Sequence, residues 1–204
     1  MGTRGLVGFY KGGITKAIYN HYDSYIRGLG KDIVDFLQKV NLDKLPEIFD
    51  GIEMIDEKSK PTEAQIFKCK CEGLTNFDVS DKSEKDWYCL LRNAQGNLFT
   101  YAKGFPYMLD GIDFIKDSLF CEYAYIINID TKELEVYVGF QKAKQPVKIN
   151  RYMKGAKSDR GYYPCHLLTK LSFEQIVSAS IDEVVSTLET IEEIYEQKRN
   201  PKEE

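Results

Sequence analysis

The sequence predicts an α+β fold, with antiparallel sheet or sheets flanked by helices. Three observations lead there. Residues 5–10 and 14–20 are apolar, β-forming runs joined by Lys11-Gly12-Gly13, the pattern of a hairpin. Residues 121–130 and 134–140 repeat that pattern around a turn at 130–133. Apolar residues recur at helical spacing between the hairpins and again at the end of the chain. Hairpins and helices that must bury their apolar faces against one another give a layered α+β domain. Both hairpins are too continuously apolar for one solvated face, so they should share a sheet or face each other.

The elements follow in order. After the first hairpin, residues 21–30 form a polar loop in which Gly28 and Gly30 permit positive φ. A helix is expected from Lys31 to Val40, with Ile33, Phe36, Leu37 and Val40 on its apolar face. Residues 42–49 suit a short helix. Pro61 suits the first turn of another that runs to Cys71. Ser83 is placed as an N-cap before Trp87, Leu90, Leu91 and Ala94, with Gly96 as the stop. Asp110 caps a turn through Ile115. Residues 141–162 read as a long basic loop, and 162–171 as a strand. Ser180 and Glu183 open the final helix as a capping box. Its stripe is Val184, Val185, Leu188, Ile191, Ile194 and Tyr195. A single domain over residues 1–197 with a frayed tail at 198–204 is the expected organisation.

Composition narrows the function. The chain has 204 residues, 43% hydrophobic and 29% charged, which excludes a disordered chain. A net charge of −4 argues against a general nucleic-acid binder, which is usually basic. Neither a membrane-spanning stretch nor a signal-peptide-like apolar segment is present, so a cytoplasmic location without membrane contact is expected. The five cysteines, at 69, 71, 89, 121 and 165, read as reduced, mostly buried thiols. Cys69-x-Cys71 lacks a second matched pair, so no metal and no cofactor are expected. G-x-G-x-x-G and G-x-x-x-x-G-K are absent.

The chemistry-bearing residues cluster near the start. Arg4 precedes the first strand, and Asn20, His21, Asp23, Ser24 and Arg27 crowd the loop after the second. Such a loop gathers hydrogen-bonding groups around one small polar or anionic ligand, and Arg4 can pair Asp23 or hold an anionic group. These six are the expected ligand-binding residues. Asn, Asp and Ser also make turns, so backbone turn chemistry is the competing reading. Glu122 lies in an otherwise apolar strand and needs a partner if buried; Arg4 is the expected one. Asp110, Asp113 and Asp117 read as a solvated helix end. Lys142, Lys144, Lys148, Arg151, Lys154, Lys157 and Arg160, interleaved with Tyr152, Tyr162 and Tyr163, allow a nucleotide-binding alternative.

The combination of Gly2-Thr3-Arg4-Gly5 with Tyr19-Asn20-His21-Tyr22-Asp23-Ser24-Tyr25 and Gly28-Leu29-Gly30 resembles a family of proteins from bacteria, phages and fungi. Residues 120–125 and 134–139 are similar to it as well, and the resemblance covers about a quarter of the chain. That family brings no activity with it. Its phage members imply a host-interaction or counter-defence role. A hairpin start followed by Asn, Asp and a helix also resembles the N-terminal-nucleophile hydrolases. That resemblance implies αββα layering and an amide hydrolase in which Arg4, Asn20 and Asp23 position nucleophile and substrate. Thr3 would be the nucleophile only after removal of residues 1 and 2, because such enzymes use the α-amine beside the nucleophile as base. The expectation is therefore a non-enzymatic protein that binds a small ligand or a protein partner.

Overall fold

The computed structural model describes residues 2–199. Strands β1 (Gly5–Lys11) and β2 (Ile14–Asn20) form the first hairpin, and β5 (Tyr123–Asn128) and β6 (Glu133–Val138) the second. Both belong to one five-stranded sheet of order β2-β1-β5-β6-β7, where β7 is His166–Ser172. β1 and β5 run parallel, Gly5 opposite Tyr123 and Phe9 opposite Ile127, so the sheet is mixed. An αββα sandwich stacks two large sheets; here the second sheet is the short parallel pair β3 (Glu53–Ile55) and β4 (Tyr107–Leu109). The parallel pairing of β1 with β5 needs a long crossover, and after β2 residues 21–122 provide it.

That crossover carries α1 (Lys31–Lys39), α2 (Leu45–Gly51), α3 (Glu63–Cys71), α4 (Trp87–Leu90) and α5 (Phe99–Ala102). α6 (Phe173–Val177) and α7 (Ile181–Arg199) follow the sheet. Pro61 lies just outside α3: Thr62 is the N-cap, in a capping box with Gln65. Asp86, not Ser83, caps α4, because its side chain accepts from the Tyr88 N–H while Ser83 serves the preceding turn. Ser180 and Glu183 form their capping box as expected. α7 continues through Lys198 and Arg199, and the remainder of the expected tail lies outside the described residues.

The two faces of the sheet are covered differently. Val7, Phe9, Ile18, Tyr125, Ile127, Leu134 and Val136 pack beneath the helices, against Ile33 and Phe36 of α1 and Val184, Val185 and Leu188 of α7. Burial along the expected α7 stripe ends at Leu188; Ile194 is 47% exposed. The other face, with Leu6, Ala17, Ala124, Ile126 and Tyr137, packs on Ile115, Cys121 and Cys165. Its cover is largely irregular chain. Four of the five cysteines are buried, all are free thiols, and Cys71 is exposed. No helix among the described residues is long and apolar enough to cross a membrane.

The irregular cover is fastened by a buried ion pair. Glu135, fully buried in β6, takes both arms of the Arg151 guanidinium at 2.6 Å. Asn128 Nδ2 at 2.8 Å and the Tyr137 hydroxyl at 2.7 Å donate to the same carboxylate. Arg151 also lies over the Tyr10 ring, 3.8 Å from its centroid. Burial pushes the Glu135 carboxyl up, but hydrogen bonds from Arg151, Asn128 and Tyr137 outweigh it and hold it below its ordinary value. Of the basic run, Arg151 is thus a structural cation.

Two stability measurements follow. Leu188→Ala should cost about 2–5 kcal/mol in chemical denaturation, as for a fully buried leucine; a loss below about half a kcal/mol would mean that α7 does not pack on the core. Glu135→Gln should cost about 3–5 kcal/mol at neutral pH, because it strands a mostly buried guanidinium. The Glu135 contribution is present above its unfolded pKa and is lost as pH falls through the lower folded value. The difference between wild type and Glu135→Gln should therefore shrink on acidification. A difference that does not change with pH would contradict the assignment.

Candidate functional site

The loop after β2 is built by backbone contacts first. Asp23, not a glycine, takes the left-handed conformation, with φ +55°. Its carbonyl accepts from Leu29 N–H at 2.7 Å. Gly28 and Gly30 lie at negative φ, so the positive φ that glycine permits is not used here. Their need is for space: a Cβ on Gly28 would sit 2.0 Å from the Asp23 carbonyl oxygen, and one on Gly30 2.9 Å from the Tyr125 hydroxyl. Ser24 is fully buried, its N–H on the Thr3 carbonyl at 3.1 Å and its carbonyl under the Tyr125 hydroxyl at 2.9 Å. Turn chemistry and a cavity wall are made by the same residues.

Asn20 ends β2 and is 9% exposed. Its Nδ2 donates to the Tyr22 carbonyl at 2.6 Å and to Ser24 Oγ at 2.8 Å. A carbonyl only accepts, so the amide cannot be flipped, and Oδ1 is directed the other way, toward Gly96. Gly96 has φ +72°, and a Cβ there would lie 2.6 Å from that oxygen. Both residues line a cavity of about 540 Å³. Asp23, Asp32 and Asp35 are its charged lining groups, and Tyr22, Tyr25, Phe36 and Phe99 its aromatic ones. Asp35 is paired with Lys39 at 2.7 Å. Burial, and then the Asp35 charge, push the Asp32 carboxyl above its ordinary value, against the opposing pull of Lys31.

The expected ligand residues therefore separate. Asn20 and Asp23 line the cavity, and Ser24 holds Asn20 from behind. Arg27 turns to α7, 2.6 Å from Glu189. His21 is exposed, with Nδ1 2.9 Å from the Tyr19 hydroxyl; burial, Arg92 and Arg4 hold its pKa below the ordinary value. The Arg4 guanidinium lies over Phe120, 4.6 Å from the ring centroid. Arg4 and Glu122 do meet, but the Glu122 carboxylate accepts from the Arg4 backbone N–H at 3.2 Å, not from its guanidinium. Thr3 and Arg4 are not among the residues lining this cavity.

Asp32, Asp35 and the turn 95–99 were not expected in the site. The two aspartates fall in an otherwise ordinary helix, and the turn is some 75 residues downstream of Asn20. Arg92 supports the wall from beneath. It is 7% exposed, donates to the Tyr22 hydroxyl at 2.7 Å and to Gln95 Oε1, and has no carboxylate partner among the described residues. Two aromatic faces stand in for one, Tyr22 and Tyr88, at 4.9 and 5.6 Å from its guanidinium. Among the described residues, no group of three or more His, Cys, Asp or Glu is placed to hold a metal ion. No family model, curated protein or solved structure matches the chain.

Gly28→Ala should destabilise the protein by about 1–3 kcal/mol, because the methyl meets fixed backbone. Gly51→Ala, in open space at the end of α2, is the control and should be neutral or slightly stabilising. Equal thermal shifts for the two variants would contradict the close packing of the loop.

Proposed function

We propose that the protein is a non-enzymatic binding module whose cavity beside Asn20 takes a cationic, donor-bearing group of a small ligand or of a partner protein's side chain. The carrying observation is Asn20, a nine-tenths buried residue of the cavity lining whose amide is fixed in orientation, with its acceptor oxygen toward Gly96 of the same lining. Around it the charged lining groups are carboxylates, and aromatic faces complete the wall. Acceptors and π-faces together favour an ammonium or guanidinium group over an anion. A host protein is the partner suggested by the resemblance to phage proteins.

Calorimetric titration with 1,4-diaminobutane and arginine methyl ester, with succinate as the anionic control, tests this reading. The amines should bind and succinate should not. Asp32→Asn should weaken amine binding about tenfold, a typical worth for one charge-assisted contact. Affinity should fall on acidification, beginning at a higher pH than an ordinary carboxylate would give, because the Asp32 pKa is raised. Binding of succinate in place of the amines, or of neither, would overturn the proposal.

A further inference from the structure

A second cavity, of about 700 Å³, opens where β6 ends, β7 begins and α7 finishes. Its chemistry is the reverse of the first. Lys142, Lys198 and Arg199 line it together with Phe140, Tyr162 and Tyr195. Lys142 and Lys198 have no carboxylate partner among the described residues, whereas Arg199 is paired with Glu196 at 2.6 Å. Phe140 is unusual. It holds φ +57°, a conformation that costs a bulky side chain energy, and is nevertheless 43% exposed. Its backbone is pinned by the Ser118 carbonyl at 2.6 Å. Among the described residues, Phe140 belongs to neither apolar cluster of the core.

The polar floor of this cavity is a chain of hydrogen bonds with one proton too few. Gln141 is 2% exposed, and its Nε2 faces two carbonyls, Val138 at 3.2 Å and Gly139 at 2.5 Å. Its Oε1 must then accept from the Tyr195 hydroxyl, at 2.9 Å. That hydroxyl has no second proton for His166 Nδ1, also 2.9 Å away. His166 Nε2 faces the Ala143 carbonyl at 2.7 Å and must donate as well. Every bond is made only when His166 is an imidazolium. Burial opposes that charge, the Ala143 hydrogen bond favours it and Arg199 opposes it, and the net effect is to hold the His166 pKa below its ordinary value. The charged and titratable groups facing this network are Lys142, Lys198, Arg199 with its partner Glu196, Tyr162 and Tyr195.

We propose that this cavity binds an aromatic anion of the nucleoside monophosphate class, its ring against Phe140 and its phosphate on Lys142 and Lys198, and that His166 takes up a proton as it binds. An anion supplies the countercharge that Lys142, Lys198 and the imidazolium lack among the described residues, and a stacked base gives the exposed Phe140 its role. No covalent step is involved.

Adenosine 5′-monophosphate is the probe, titrated at pH 8 where its phosphate is fully charged, with adenosine and inorganic phosphate as separate arms. The monophosphate should bind, and each of the other two should bind at least about tenfold more weakly, because each lacks one recognised part. NMR titration of the His166 ring should give a midpoint raised by about half a pH unit or more in the complex. Phe140→Gly should weaken binding about tenfold while leaving thermal stability unchanged or higher, since glycine tolerates the positive φ. Absence of monophosphate binding would overturn the proposal, as would inorganic phosphate binding equally well or an unmoved His166 midpoint. A Phe140→Gly variant that loses stability would also overturn it, since Phe140 would then be a packing residue.

Discussion

The buried pairing of Glu135 with Arg151 is the constraint on which the far side of the molecule depends. A sheet has two apolar faces, and only one here is covered by helices. The other relies on residues 112–121 and on residues 141–165, and the regular structure of the latter is the single turn Arg151–Met153. The backbone hydrogen bonds of that latter segment are mostly local turns rather than a ladder to the sheet, so side chains must tie it down. The Glu135 carboxylate receives two donors on each oxygen, from Arg151 and Asn128 on one and from Arg151 and Tyr137 on the other. Its acceptor capacity is thereby filled, and a charge that would be prohibitive alone becomes tolerable. Asn150, also fully buried, adds a bond to the Cys165 carbonyl at 2.8 Å.

With that face closed, the interesting side chains are all gathered at one end of the sheet. β2 and β6 end there, and β1, β5 and β7 begin there, as the pairings Gly5–Asn20, Gly5–Tyr123, Tyr123–Val138 and Val138–His166 require. Asn20 and His166 therefore occupy the two edges of one sheet end, separated by four strand spacings or roughly 19 Å. The acceptor-lined cavity opens at one edge and the lysine-lined cavity at the other. At the opposite end the hairpins turn tightly, and Asp130 accepts from the Gly12 N–H at 2.8 Å.

Much of this architecture was legible in the sequence because it rests on local periodicity. The first hairpin, α1 and the start of α7 are each specified by residues within a few positions of one another. The parallel β1–β5 pairing was not, because it joins segments more than a hundred residues apart. β3 and β4 were missed as well; three-residue strands leave too short a pattern. The sequence points to Glu122 as the charge needing a partner, but the fully buried carboxylate is Glu135, whose two-armed partner Arg151 lies in a run of seven cations with nothing local to single it out, and which Lys170 approaches to 3.4 Å. The candidate site was half legible. Asn20 and Asp23 were found from loop composition, while Arg4, His21 and Arg27 were drawn elsewhere by Phe120, Tyr19 and Glu189. Asp32 and Gly96 became part of the cavity only through the crossover that sets α1 against residues 95–99.

Hydrogen exchange on an Arg151→Lys variant tests the central constraint most directly. A lysine keeps the charge but cannot make two parallel hydrogen bonds to Glu135. Amides across 141–165 should lose protection selectively, while those of the β1–β2 hairpin and α1 keep theirs, since local opening need not unfold the rest. Unchanged protection in 141–165 would contradict the view that this pair fastens the far face of the sheet.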